Sequence, residues 1–128
     1  MTDPDCAALP EPARPEIRLA DVLHALADPL RLSIVAALAA GHHEMSCIAF
    51  DLPVSKSTST HHFRVLREAG VIHQHRRGTA RMSRLRQDDL DALFPGLLDS
   101  VLAGALAEEA RLSQELPAPE AADTPTIG

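Results

Sequence analysis

The stretch VSKSTSTHHFRVLREAG, Val54 to Gly70, constrains this chain more than any other, because it carries its own start and its own stop. Ser55 can cap a first helical turn with its hydroxyl, and Gly70 can take the left-handed conformation that closes the last one. At 100° per residue, Ser59, Phe63, Leu66 and Gly70 fall on one side, and Ser57, Thr60, His61 and Arg64 on the other. One side packs; the other is small, polar and cationic. Hydroxyls, an imidazole and an arginine, with no bulky apolar group between them, suit a recognition helix that enters a major groove about 12 Å wide and bonds to base edges. A solvated amphipathic helix has the same outline, so charge must decide between them.

Net charge gives no hint of a polyanionic partner, since 12 Lys and Arg stand against 18 Asp and Glu, for −6. Its distribution does. Between Ser55 and Arg86 lie Lys56, Arg64, Arg67, Arg76, Arg77, Arg81, Arg84 and Arg86 against the single acid Glu68, a local +7 that leaves −13 for everything else. DNA binding is driven by local Lys and Arg density and the counterions it displaces, so a basic stripe on an acidic chain is a footprint.

A chain of 128 residues, 45% hydrophobic, suits one small domain. Its aromatics are Phe50, Phe63 and Phe94, so the core must come from Leu, Ala, Val and Ile, which favours helices. No apolar run approaches the roughly 18 to 20 residues of a membrane span. The first residues, with Asp3, Pro4 and Asp5, lack the basic region and apolar core of a signal peptide, so a cytoplasmic protein without a membrane partner is expected. Cys6 and Cys47 cannot form a disulfide framework.

In chain order, residues 1–15, with Pro4, Pro10, Pro12 and Pro15, read as a disordered arm. Residues 16–112 read as one DNA-binding and dimerisation domain, and residues 113–128 as a disordered tail. A first helix is expected from Glu16, with Ile17, Ala20, Leu23 and Leu26 as its stripe. A second runs from Pro29, capped by Asp28, to about Ala40, with Leu30, Ile34, Ala37 and Leu38 inward and Gly41 closing it. A short third helix, about Met45 to Phe50, carries Ile48 and Phe50 inward. The break around Pro53 then delivers the chain into the recognition helix, giving a helix-turn-helix.

Beyond Gly70 the period changes. Val71 to Leu85 alternates about a loop at Arg77-Gly78-Thr79, which predicts a hairpin, or wing, whose Arg76, Arg77 and Arg81 can reach phosphates or a minor groove. A solvated turn with arginines for solubility is the competing reading. Asp88 and Asp89 open a final helical region that Pro95-Gly96 interrupts, with the register Leu90, Leu93, Leu97 and Val101 resuming beyond. The run LLDSVLAGAL, Leu97 to Leu106, carries one charge, Asp99, and its small residues allow close helix approach, which suggests a subunit interface. The fold class is therefore mainly α with a small β-hairpin wing.

The runs DPLRLSIVAAL, Asp28 to Leu38, and VSKSTSTHHFRVLREAGVI, Val54 to Ile72, resemble the ArsR-like (ArsR/SmtB) winged helix-turn-helix repressors of bacteria. The resemblance covers about Leu19 to Leu106. It implies a homodimer through the first and last helices, with Leu19 and Leu23 on the one and Leu97, Val101 and Leu102 on the other, reading an inverted repeat. It puts Lys56, Ser57, Thr60 and His61 at base-contacting positions, with Thr58 and Arg64 beside them, and Arg76, Arg77 and Arg81 on the wing. Ser59 stands where the family usually has an aliphatic residue.

The family's metal box needs two cysteines separated by one residue, whereas Met45-Ser46-Cys47 offers one thiol, and its last-helix site needs histidines, none of which follows His75. No cofactor and no metal are expected. His73 and His75 share a strand face that can touch a metal but reads first as solvated, and His24 reads as an ordinary helix residue. Two other readings stay open: a soft-metal or thiol-redox sensor built from Cys47, His43 and Cys6, and a winged helix used for protein contact. An enzyme is not expected, because no nucleophile motif, phosphate loop or carboxylate pair is present.

Overall fold

The computed structural model describes residues 8–41, 44–46 and 53–115, and the chain divides into two compact units, residues 1–98 and 99–128. In the first unit, a 3-10 turn at Arg14–Glu16 precedes α1 (Leu19–Leu26), α2 (Pro29–Gly41), β1 (Met45–Ser46) and α3 (Lys56–Ala69). Then come β2 (Ile72–Arg77), β3 (Ala80–Leu85) and α4 (Gln87–Leu93), and α5 (Leu97–Glu115) starts here and continues into the second unit.

Helix ends follow local chemistry. Asp28 accepts the N–H groups of Leu30 (2.9 Å) and Arg31 (3.1 Å), two donors that the first turn of α2 leaves without helical partners. Accepting the Arg31 N–H holds the Asp28 carboxyl below its usual range. At α3 the cap is Ser55, whose hydroxyl accepts from Thr58 N, and the stop is Gly70 at φ 89°. Gly96, at φ 82°, makes the break between α4 and α5 that Pro95-Gly96 predicts.

The core is aliphatic apart from Phe63, as the scarcity of aromatics requires. Val22, Leu26, Ile34, Val35, Leu38, Phe63, Leu66, Val71, Ile72, Leu90 and Leu98 are all buried. The sheet is antiparallel in the order β1-β3-β2, with Arg76 opposite Arg81 and Arg77 opposite Ala80 across the Gly78-Thr79 turn. The predicted hairpin is therefore present with its tip where expected.

Four expectations are corrected. The first helix does not start at Glu16: Ile17 is extended and buried, and α1 begins at Leu19 with Val22, Ala25 and Leu26 inward and Leu23 outward. Residues 8–15 are not a free arm, because Ala8 bridges to His75 and Leu9 N donates to Gln74 O (3.0 Å). The predicted third helix fails at its start, since Met45 and Ser46 are a strand paired with Ser83 and Met82, where they satisfy the open edge of β3. Ile48 and Phe50 lie outside the described residues. Lastly, helix α5 runs to Glu115, three residues past the expected end of the domain.

In the second unit α5 carries Leu106 and Leu112 exposed. No single helix among the described residues is long and apolar enough to cross a membrane.

Candidate nucleic-acid interface

Helix α3 has two faces that do different things. Lys56, Ser57, Thr58, Thr60, His61 and Arg64 are exposed, and Arg64 Nη2 lies 3.4 Å from His61 Nδ1. His62, Phe63, Leu66, Arg67 and Ala69 are buried. Every α3 residue expected to read or flank the bases is thus exposed, and Ser59, half-buried at the margin, adds no apolar anchor.

The inward set holds the helix in place partly by polar contacts. Arg31, buried on α2, donates from Nε to Ala25 O (2.8 Å), from Nη2 to His24 O (3.3 Å) and from Nη1 to His62 Nδ1 (3.2 Å). A guanidinium only donates, so in this contact His62 Nδ1 is the acceptor. Arg31 thus ties the last carbonyls of α1 to the inner face of α3.

Arg67 and Arg86, counted in the basic stripe, also turn inward. Arg67 Nη1 donates to Gln74 Oε1 (2.7 Å), and Gln74 Nε2 donates to Ser83 Oγ (2.9 Å), a buried polar line from the recognition helix across both wing strands. Burial pushes the Arg67 guanidinium below its usual range. Arg86 Nε donates to Asp89 Oδ2 (2.8 Å). Burial raises the Asp89 carboxyl, but hydrogen bonds from Arg14 and Arg86 outweigh it and hold the group below its usual range. The helical wheel carries the signal for Arg67, which falls about 40° from Phe63 and so within the packed stripe. Nothing periodic marks Arg86.

The outward cations are then Lys56, Arg64, Arg76, Arg77, Arg81 and Arg84, of which Arg81 is half-buried. Glu44 lies 3.3 Å from Arg77 and 3.9 Å from Arg84. Arg76 and Arg81 sit directly opposite each other across the strands. Facing like charges repel, and an anion between them removes the repulsion. That pair is suited to a phosphate.

The wing histidines are not solvated. His73 Nδ1 is 2.7 Å from Glu11 Oε1, and His75 Nδ1 is 3.3 Å from Glu44 Oε2. Their rings lie 5.7 Å apart, and His75 Nε2 is buried without a hydrogen-bond partner. No group of three or more His, Cys, Asp or Glu could hold a metal among the described residues. Cys6, His43 and Cys47 lie outside them. Of the expected dimer residues, Leu19 and Leu23 are exposed on α1, and Leu97, Val101 and Leu102 are half-buried on α5.

The sequence model described as "Bacterial regulatory protein, arsR family" matches residues 28–74, from the α2 cap to the middle of β2. The uncharacterized HTH-type transcriptional regulator YceK of Bacillus subtilis (strain 168) is 31% identical over 84 residues, 64% of this chain and 84% of YceK. The chain belongs to the ArsR family. A crystal structure of another ArsR family transcriptional regulator shares the fold, with a TM-score of 0.52 at 21% identity over 75% of this chain and 96% of that one. As an ArsR-family helix-turn-helix protein, the chain is a DNA-binding transcriptional regulator with β2 and β3 as its wing. The family is a regulatory one, not an enzymatic one.

Proposed function

We propose that the protein is a homodimeric repressor that reads an inverted repeat, with α3 in the major groove and the β2–β3 wing on the backbone beside it. The observation that carries this reading is the outward face of α3, where Ser57, Thr60, His61 and Arg64 are exposed while their helix neighbours are locked into the core. Exposed Leu19 and Leu23 on α1 support a second copy as partner. One recognition helix reads only a few base pairs, so useful discrimination needs two half-sites, about 34 to 36 Å apart if one helical turn separates them. With the chromosome as target, the protein works in the cytoplasm.

The test is a fluorescence anisotropy titration at two salt concentrations, with an operator selected from random duplexes and with its scrambled version. Replacing Arg76 and Arg77 with Ala should weaken binding to both duplexes alike, and should lower the salt slope by about 0.9 per lost phosphate contact. His61→Ala or Ser57→Ala should instead lose discrimination, by about 1 to 3 kcal/mol per base contact. A wing variant that lost operator affinity alone would reverse these roles.

A further inference from the structure

The segment Ala8–Ala13 meets both parts of the DNA-reading surface. Strand β2 is an edge of the sheet, and an open edge presents unpaired N–H and C=O groups. Ala8 and Leu9 cover it, through the bridge to His75 and the bond from Leu9 N to Gln74 O. Pro10 and Pro12 have no N–H, so their carbonyls are what they can offer. Both carbonyls are taken by buried arginines: Arg67 Nε donates to Pro10 O (2.9 Å), and Arg86 Nη1 donates to Pro12 O (2.7 Å). Between them, Glu11 lies 2.7 Å from His73 Nδ1 and 3.4 Å from Arg86 Nη1.

Those partners belong to different elements. Arg67 is in the last turn of α3, His73 and Gln74 are on β2, and Arg86 follows β3. Only Gly70 and Val71 separate α3 from β2, and β1 holds the hairpin along β3 alone, so the outer, β2 side needs a tie of its own. The polar line Arg67–Gln74–Ser83 supplies part of the tie. The N-terminal segment closes it from the outer side of β2.

We infer that residues 8–13 form a strap that sets the angle of the wing to the recognition helix, and that Glu11 and the backbone of Leu9 are positioning groups for DNA binding. The inference rests on the DNA-binding reading above. The strap touches no DNA; it acts through the wing, whose arginines contact phosphates only if they arrive at the right place. A chain lacking the strap should therefore behave toward DNA as a chain lacking the wing arginines.

The test is a double-mutant cycle on the full chain. One arm removes residues 2–13, or more mildly introduces Leu9→Pro, which deletes the Leu9 N–H donor; Leu9→Ala keeps that donor and serves as the rescue control. The other arm is Arg76→Ala, Arg77→Ala and Arg81→Ala together, which removes every arginine assigned to the wing. Each arm alone should weaken operator and scrambled duplex alike and lower the salt slope by a similar amount, about 0.9 per lost phosphate. Combined, they should lose no more than the wing variant alone, because the strap's effect has no other route. Additive losses, or unchanged binding by a strapless chain that remains folded, would overturn the inference. A DNA-free arm separates it from the functional reading: hydrogen exchange of β2 and β3 amides should quicken roughly tenfold in Leu9→Pro while α2 amides stay unchanged. Unchanged wing exchange counts against the strap even if the protein binds DNA. If the unmodified chain binds no duplex, the DNA-binding reading fails while the exchange result still decides the strap.

Discussion

Gly70 is restricted to glycine for two separate reasons. Its φ of 89° is a left-handed conformation that other residues adopt at a cost, and a Cβ there would lie 2.6 Å from Ile17 Cγ1 and 2.7 Å from Ile17 Cδ1. Ile17 is buried, so it has little room to move aside. Gly70→Ala should cost about 1 to 2 kcal/mol for the backbone and about 1 to 3 kcal/mol more for overpacking, read from urea denaturation. A loss below about 1 kcal/mol would mean that the α3–β2 junction relaxes freely. The first reason is legible in the sequence, since a glycine closes an amphipathic stretch. The second is not, because Ile17 stands 53 positions earlier and its apolar spacing fits a helix that the chain does not form there. Arg67 shows the converse: its place four residues after Phe63 marks it as inward, but its charge put it in the basic stripe instead.

Elements with strong local signals were legible almost to the residue. Helix α3 has its serine cap and glycine stop, and the wing has its alternating strands and Gly78 turn. Two-residue β1 left no periodic trace, because its conformation comes from pairing with β3, whose partner residues lie 36 to 38 positions away. Helix α2 tests the capping argument directly. Asp28→Ala should cost about 0.5 to 2 kcal/mol by leaving the Leu30 and Arg31 N–H groups without their acceptor. The pH dependence has a fixed sign. Because the folded state holds the Asp28 carboxyl below its unfolded value, its stabilisation is present above the unfolded pKa, near 4, and is lost as pH falls through the lower folded value. Thermal melts from pH 7 down to pH 3 should show the gap between wild type and Asp28→Ala narrowing only at the acid end. A gap that stayed constant down to pH 3 would mean that the Asp28 carboxylate is not what caps α2.

At the scale of the molecule, the proposed dimer makes the simplest measurement. The wild type should sediment at twice the chain mass at micromolar concentration, and Val101→Asp should shift it to the monomer, since an unpaired charge in an apolar seam costs several kcal/mol. A monomeric wild type would end the proposal. The helical class and the wing could be read from composition and period, whereas the role of the N-terminal residues could not, because a proline-rich segment has no pattern of its own and takes its conformation from what it lies against. That dependence also fixes an order of events. Pro10 waits for an arginine 57 residues later, Glu11 for a histidine 62 later, Pro12 for an arginine 74 later and Arg14 for an aspartate 75 later. Closing such loops is entropically costly until their far ends are in place. The segment is made before the elements it fastens and is thus among the last to dock, and a chain whose synthesis stops short of Arg86 lacks the tie at Pro12.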